Sequence, residues 1–282
     1  MDNNLTQNET VIKPGWLDKQ YWIDIWNYRE LFYFLALRDI KVRYKQTVIG
    51  IAWVIIQPLL SMVIFSVIFG KIANLPSETG VPYPIMVYAA LLPWQFFSQS
   101  LSAASNSVVG NVSLISKIYM PRLIIPASKV VVGFVDFLVS FVILLVLMLF
   151  YRFTPSARIF LLPVFLFIAF VAAYGFSLFF AALNVKYRDF RHAIPFVVQL
   201  GLYISPVGFS SSVIAKKWPH LRFIYSLNPM VGVIDGFRWA ILGGEVKLYM
   251  PGFIASIILI GAMFVGGLFY FRKTEKTFAD FI

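Results

Sequence analysis

The chain has 282 residues, of which 60% are hydrophobic and only 13% are charged, whereas an ordinary soluble domain carries about 25% charged residues. This composition argues against a soluble protein and predicts that lipid surrounds most of the chain. The formal net charge of +11 does not require a nucleic-acid partner, because basic residues ordinarily flank membrane spans. The absence of cysteine excludes disulfides and thiolate sites.

The N-terminal segment, residues 1–46, lacks the features of a cleaved secretion signal. Its apolar run at 31–37 is shorter than a signal core, follows Glu30 and leads directly into charged residues. We therefore expect this segment to be retained on the cytoplasmic side of the membrane.

The segment is predicted to end in an amphipathic interface helix. On a helical projection its apolar sector consists of Tyr33, Leu37, Ile40 and Tyr44. The cations Arg38, Lys41 and Lys45 lie beside this sector, and Asp39 and Arg43 can pair on the far side. Such a helix either docks a partner protein or serves only as a topological anchor at the lipid surface.

Six apolar stretches are long enough to be membrane-spanning helices, since about 20 residues cross the hydrocarbon. They are residues 48–69, 84–107, 128–150, 159–183, 194–212 and 251–271. With both termini inside, the cytoplasmic segments would hold 16 of the 24 lysines and arginines, as the positive-inside rule requires. We predict an all-α integral membrane protein with six spans and cytoplasmic termini.

The long connection at 213–250 contains a further predicted helix. Asn228 can cap it, Pro229 suits its first position, and Gly243 with Gly244 can end it. Its apolar stripe consists of Met230, Val233, Ile234, Phe237 and Ile241, with Asp235 and Arg238 elsewhere on the helix. About 14 residues cover only ~21 Å, so this is a re-entrant or interfacial helix on the outer side, or else an ordinary surface helix.

Several spans carry uncharged polar and aromatic residues on one face. These residues are Trp53, Gln57, Ser61, Tyr88, Gln95, Gln99, Tyr174 and Tyr203. They can hydrogen-bond neighbouring helices to one another, or they can line a shared passage. A lining of amides, hydroxyls and rings would suit a sugar-like solute better than an ion.

A single acid, Asp136, lies within a predicted span. A carboxylate at that depth costs about 2.5–3.5 kcal/mol, so it should be paired, protonated or near water. The sequence has no phosphate-binding G-x-x-x-x-G-K-[ST] loop, no Asp-x-Asp pair, no histidine cluster and no G-x-S-x-G elbow. We therefore expect no enzymatic activity, no metal and no cofactor on this chain, and any ATP-driven transport would take its energy from a separate subunit.

The order of several motifs resembles the ABC-2-type permeases that export polysaccharides, namely the Wzm-like O-antigen permeases and their capsule and teichoic-acid relatives. The motifs are LRDIKVRYK (37–45), TVIGIAWVIIQPL (47–59), LLPWQFF (91–97), SLISKIYMPRLIIP (113–126), VKYRDFRH (185–192) and LNPM (227–230). The similarity extends over nearly the whole chain, from about residue 30 to residue 271.

The resemblance implies a homodimer that binds two copies of a cytoplasmic ABC ATPase, with ATP and magnesium on that partner, and exports a lipid-linked glycan. The implied ATPase contacts are Arg38, Lys41, Arg43, Lys45, Lys117, Tyr119 and Arg122, of which the last three are expected to be exposed. The resemblance also implies re-entrant helices between spans 5 and 6. It adds Trp94 and Phe97 to the aromatic candidates for the translocation path.

These observations predict a cytoplasmic N-terminal segment (1–46), one permease domain (47–272) and a cytoplasmic tail (273–282) in a bacterial cytoplasmic membrane. Two alternatives remain open: an ABC-2 permease for a drug or small lipid, and a secondary transporter. The second is weaker because Asp136 has no companion acid or histidine within the spans.

Overall fold

The computed structural model describes residues 19–45, 50–78, 80–243 and 248–278, and every regular element within these ranges is helical. The helices are α1 (Lys19–Asn27), α2 (Arg29–Lys45), α3 (Gly50–Phe65), α4 (Tyr83–Ser105), α5 (Ser107–Gly110), α6 (Val112–Ile115), α7 (Ile124–Phe150), α8 (Leu162–Lys186), α9 (Phe190–Ile204), α10 (Ser211–Lys217), α11 (Arg222–Tyr225), α12 (Pro229–Leu242) and α13 (Met250–Glu275). A π-helical turn, Ser66–Ile72, continues α3, and 3-10 turns at Ala157–Leu161 and Pro219–Leu221 precede α8 and α11. The predicted all-helical fold is confirmed for these ranges.

Four helical segments among the described residues have the length and apolar composition to cross a bilayer. They are Ala52–Ile72, Ile124–Phe150, Ala157–Lys186 and Met250–Glu275, and they match the first, third, fourth and sixth predicted spans. The other two predicted spans correspond to α4, which is long enough but more polar, and to α9. With 15 residues, α9 covers only about 22 Å. The count of six spans therefore stays a prediction.

The predicted end of the fifth span, at residue 212, is wrong. Helix α9 ends at Ile204, and residues 205–210 form non-helical turns before α10 begins. The prediction followed the average hydrophobicity of the segment and gave too little weight to Pro206 and Gly208. These residues favour turns over a continuing helix.

Helix α4 is the central helix of the bundle and packs against α3, α7, α8, α9 and α12. The residues from 85 to 90 are each 0% exposed. A helix enclosed by protein does not need an apolar surface toward lipid, so it can carry polar side chains that its neighbours satisfy. This position explains why α4 is less apolar than the four segments above.

One end of the bundle, called the basic end below, contains α2 and the connections after α4 and α8. There the Arg38 guanidinium donates to the Asn111 side chain at 3.3 Å. The Asn184 amide donates to the Ser105 carbonyl at 3.1 Å. These contacts hold α2, α8 and the end of α4 together.

The opposite end, called the pocket end below, contains the connections after α3, α7 and α9. The Tyr83 hydroxyl donates to the Gly208 carbonyl at 2.7 Å, and the Ser156 N–H donates to the Ile241 carbonyl at 3.1 Å. The long connection that includes α10, α11 and α12 therefore lies against the bundle at this end.

Helices α8 and α13 approach each other backbone to backbone at Gly175 and Gly267. A Cβ on Gly267 would overlap the Gly175 carbonyl oxygen, and a Cβ on Gly175 would lie 2.6 Å from the Phe264 Cα. Because backbone atoms cannot move aside as a flexible side chain can, we expect Gly267→Ala to cost about 1–3 kcal/mol. That cost should lower Tm by several degrees, measured by thermal unfolding in detergent.

Gly266→Ala is the matched control for this prediction, because a Cβ at the neighbouring glycine meets no atom within 4 Å. Its Tm should stay close to that of the parent protein. Equal Tm values for the two variants would contradict the close crossing of α8 and α13.

Candidate functional site

Helix α2 lies alongside the first half of α7 and is joined to it by two ion pairs. Lys129 Nζ is 2.7 Å from Asp39 Oδ2, and Arg43 Nη2 is 2.7 Å from Asp136 Oδ2. Asp136 is the thirteenth residue of α7, about 18 Å from its start. The C-terminal end of α2 therefore reaches the middle of the bundle.

Asp136 is the centre of a group called the Asp136 cluster below, which consists of Asp136, Arg43, Tyr44 and Gln99. The Tyr44 hydroxyl donates to the Asp136 carboxylate, and Arg43 also donates to the Gln99 side-chain oxygen at 3.0 Å. Of the three predicted possibilities for Asp136, paired, protonated or near water, the structure shows the first. The predicted Asp39–Arg43 pair is wrong, because Arg43 reaches into the bundle toward the more deeply buried carboxylate. The cluster connects α2, α4 and α7.

The predicted apolar sector of α2 is wrong in part. Tyr33 is 66% exposed, whereas the residues that α2 buries most completely are Leu35 and Ala36. The ion pairs to α7 fix which face of α2 turns toward the bundle. The buried face therefore differs from the one that the apolar residues alone predict. The helix consequently presents aromatic residues, Tyr33 and Phe34, away from the bundle.

The predicted ATPase contacts fall into two groups. Lys41, Lys117 and Tyr119 are exposed toward the basic end, and Lys45, the last residue of α2, is exposed nearer the middle of the bundle. The expected exposure of Arg122 is wrong, because its backbone N–H donates to Glu275 at 3.1 Å and its guanidinium donates to the Glu275 carbonyl. Its guanidinium also lies 5.5 Å from the centre of the Phe278 ring. Arg122 therefore holds the end of α13 in place.

The predicted path residues also separate by burial. Tyr88, Trp94 and Phe97 are buried in the core; Ser61, Gln95, Gln99 and Tyr174 are partly buried; and Trp53, Gln57 and Tyr203 are exposed. The Tyr174 hydroxyl donates to the Leu123 carbonyl at 3.1 Å. This hydrogen bond joins α8 to the start of α7, as expected for a residue that connects helices. A path lined by the whole set stays a prediction.

Helix α12 begins at the predicted Pro229 and ends at the predicted Gly243, whereas Gly244 lies outside the described residues. The Asn228 side chain accepts from the Met230 N–H at 3.0 Å, Pro229 follows the cap, and Gly243 ends the helix with φ of 63°. Eleven of its 14 residues are buried, so the alternative of an ordinary surface helix is wrong. At about 21 Å it is too short to cross the bilayer. Its apolar stripe packs into the bundle core.

Arg238 on α12 is only 1% exposed. Its guanidinium donates to the carbonyls of Phe209 at 2.8 Å, Val207 at 3.0 Å and Met86 at 3.3 Å. The planar fork of an arginine can satisfy several carbonyls at once. Arg238 therefore joins α12, α4 and the turn after α9.

A partly open cavity of about 300 Å³ lies beside α12 at the pocket end. Its lining includes Glu78, Ser210, Ser211, Lys216, Arg222, Tyr225, Asp235 and Tyr249. Burial raises the pKa of Asp235 above its ordinary value, while the hydroxyl of Ser211 and the charge of Arg238 oppose this effect. Sequence reasoning named only Asp235 and Arg238 here, although three consecutive serines at 210–212 were a readable signal of a polar loop.

The described part of the chain contains no group of three His, Cys, Asp or Glu residues that could hold a metal ion. The polar groups of the Asp136 cluster join α2, α4 and α7 by hydrogen bonds and an ion pair, and those at the pocket end line a small cavity.

The model of the ABC-2 type transporter family matches residues 30–242. An O-antigen export system permease protein of Klebsiella pneumoniae is 28% identical over 261 residues, covering 90% of this chain and 95% of the relative. A protein of the same description from Myxococcus xanthus is 27% identical over 76% of this chain and 81% of its own length. The polysialic acid transport protein KpsM of Escherichia coli is 22% identical, covering 86% and 92% of the two chains.

Proposed function

This chain belongs to the ABC-2 type transporter family, and from that premise we propose that it is the membrane subunit of an ATP-driven exporter of a lipid-linked, O-antigen-like polysaccharide. The observation that carries the proposal is similarity over about nine-tenths of the chain to permeases of O-antigen export systems. None of the relatives reported above is described as a carrier of drugs or small lipids. The proposed location is the bacterial cytoplasmic membrane, with the basic end and both termini inside.

The contact between α2 and α7 supports a mechanical role for the basic end. An ATPase that pulls on α2 would act through Arg43 and Tyr44 on Asp136, in the middle of α7. Arg43 also binds Gln99, so the same motion reaches the central helix α4. The Asp136 cluster thus offers a route by which ATP hydrolysis on a partner subunit can change the arrangement of the spans.

Two exposed glutamines support the proposed homodimer. Gln57 on α3 and Gln199 in the apolar second half of α9 are exposed. Lipid offers an amide no hydrogen bonds, so such side chains face protein or water within a membrane. A second copy placed against α3 and α9 would cover both glutamines. It would also bring the exposed Trp53 and Tyr203 to a path between the two copies.

The proposal is tested by deleting the gene in its host and measuring glycan at the cell surface. Loss of surface glycan, with its lipid-linked precursor accumulating inside and both restored by the parental gene, is the expected result. The exporter should also co-purify with an ABC ATPase. Normal surface glycan in the deletion strain would contradict the proposed substrate.

The docking of the ATPase is expected to depend on the exposed cations of α2 and of the connection between α6 and α7. Reversing Lys41, Lys45 and Lys117 to Glu should lower the amount of co-purified ATPase about tenfold, at ~0.5 kcal/mol for each exposed charge. These three are better targets than Arg38, Arg43 or Arg122, which bind other residues of the chain. Co-purification by affinity chromatography in detergent is the measurement.

The matched control for this triple variant reverses Lys71 and Arg152, which are exposed at the pocket end. It should leave the amount of bound ATPase unchanged. Undiminished ATPase binding by the triple variant would show that these cations do not form the docking surface.

A further inference from the structure

The cavity beside α12 has the dimensions of a small-ligand site. Its volume of about 300 Å³ is at the lower end of the range for ligand pockets. It can accept one or two sugar rings but not a protein segment with its own fold. It lies at the end of the bundle opposite α2, far from the surface proposed to bind the ATPase.

The walls of the cavity present carboxylates that are already oriented. The Ser211 hydroxyl donates to Asp235 Oδ1 at 2.7 Å, and the Ser210 hydroxyl donates to Glu78. Each of these bonds uses one carboxylate oxygen, so the carboxylates keep acceptor capacity for hydroxyl groups of a ligand. Fixed side chains lose little entropy on binding, which favours recognition of a polar molecule.

The hydroxyl of Tyr225 is the most informative group of the lining. Within the described residues it is buried and has no hydrogen-bond partner. A buried polar group without a partner costs free energy, and a bound molecule that supplies the missing bond would recover it. Burial raises the pKa of this phenol, so the hydroxyl stays neutral and can both donate and accept.

The charges around the cavity indicate which class of ligand fits. Glu78 and Asp235 are acidic, whereas Lys216, Arg222 and Arg238 are basic. The acidic residues repel an anionic ligand and the basic residues repel a cationic one, so neither strongly charged class is favoured. A neutral polyhydroxyl compound meets no such repulsion, because each hydroxyl can donate to a carboxylate and accept from a cation.

We propose that this cavity binds a neutral sugar residue of the exported glycan at the outer face of the membrane. The inference rests on the proposed function for the identity of the glycan and for the orientation of the chain. The cavity is then an exit subsite. It holds a sugar of the emerging glycan between cycles of ATP hydrolysis and limits backward movement of the glycan through the exporter.

The decisive variant is Tyr225→Phe in the complete exporter. It removes one oxygen that bonds to no described residue, so Tm should be unchanged or slightly raised. The affinity for oligosaccharides released by mild acid from the host's own surface glycan should fall about threefold to tenfold. Binding is measured by saturation-transfer NMR on the exporter in nanodiscs, which leave the pocket end accessible.

Lys217→Gln is the matched control, because Lys217 is an exposed residue of α10 that does not line the cavity. It should bind the oligosaccharides as the parent protein does. A second variant, Glu78→Gln, should also weaken binding, since it replaces an oriented carboxylate by an amide.

The inference is overturned if the parent protein shows no saturable oligosaccharide binding, or if Tyr225→Phe and Glu78→Gln leave the affinity unchanged. Binding of inorganic phosphate without sugar would overturn it as well. If the deletion strain loses surface glycan but the purified exporter binds no oligosaccharide, the proposed function stands and only the exit subsite fails. Normal surface glycan in that strain rejects the proposed function itself.

Discussion

The Arg238→Met variant is expected to lower the stability of the protein by about 2–4 kcal/mol, because the carbonyls of Val207, Phe209 and Met86 lose their shared donor. Methionine restores the volume of the side chain but supplies no hydrogen bond. The turn after α9 should then detach from α12, since Arg238 joins them. We expect Tm to fall by about 5–10 °C, measured by thermal unfolding in detergent.

The matched control for this substitution is Arg158→Met. Arg158 is exposed and lies over the Trp239 ring at 4.8 Å, so its loss should cost less than about 1 kcal/mol. Arg238→Lys should give an intermediate Tm, because one ammonium cannot reach all three carbonyls. A Tm for Arg238→Met equal to that of the parent would refute the joining role of this residue.

The Asp136→Asn variant is expected to uncouple ATP hydrolysis from export. It removes the carboxylate that pairs with Arg43 inside the bundle, so the free energy of unfolding should fall by about 1–3 kcal/mol. This loss is smaller than for a fully buried pair, because the Arg43 side chain is 36% exposed. If α2 transmits motion through this pair, glycan export per ATP hydrolysed should fall more than the ATPase rate does. Both rates are measured on the reconstituted complex.

A double-mutant cycle separates the pair from the rest of the cluster. The charge exchange Arg43→Asp with Asp136→Arg should recover part of the stability that each single change loses, if the pair itself is what matters. Lys129→Gln is the control, because it breaks the other ion pair between α2 and α7 nearer the basic end. Equal loss of export coupling in Lys129→Gln and Asp136→Asn would show that α2 acts as a whole and not through Asp136.

Helix positions were largely predictable, because length and apolar composition decide which segments suit a bilayer. The third, fourth and sixth predicted spans lie within α7, the 3-10 turn with α8, and α13. The end of the fifth was not predictable from the average hydrophobicity of the segment, since Val207 and Phe209 are apolar but stand among serines, Pro206 and Gly208 in turns that pack against α4. Residues 1–18, 46–49 and 279–282 lie outside the described ranges, so the predicted start of the first span and the outer boundaries of the domains stay predictions.

The residues of the candidate sites were only partly predictable. Local rules identified α12, because the Asn228 cap, Pro229 and Gly243 act within a few residues of one another. The same rules misassigned Arg43, whose partner is 93 positions along the chain. They also missed the cavity, since its lining combines Glu78, in the connection after α3, with residues from both ends of the long connection between α9 and α13, such as Ser211 and Tyr249.

The sequence by itself determined that this protein lies in a membrane, that it is helical, and that it lacks a nucleotide-binding motif, because each depends on composition or on contiguous residues. Membership of the ABC-2 type transporter family likewise follows from residues 30–242. Only the tertiary structure decided that Arg43 binds Asp136, that Arg238 is buried and bound to three carbonyls, and that Tyr225 lines a polar cavity. Those features depend on which helix faces are brought together, and an ion pair to a buried carboxylate overrides the apolar periodicity from which a helix face is predicted.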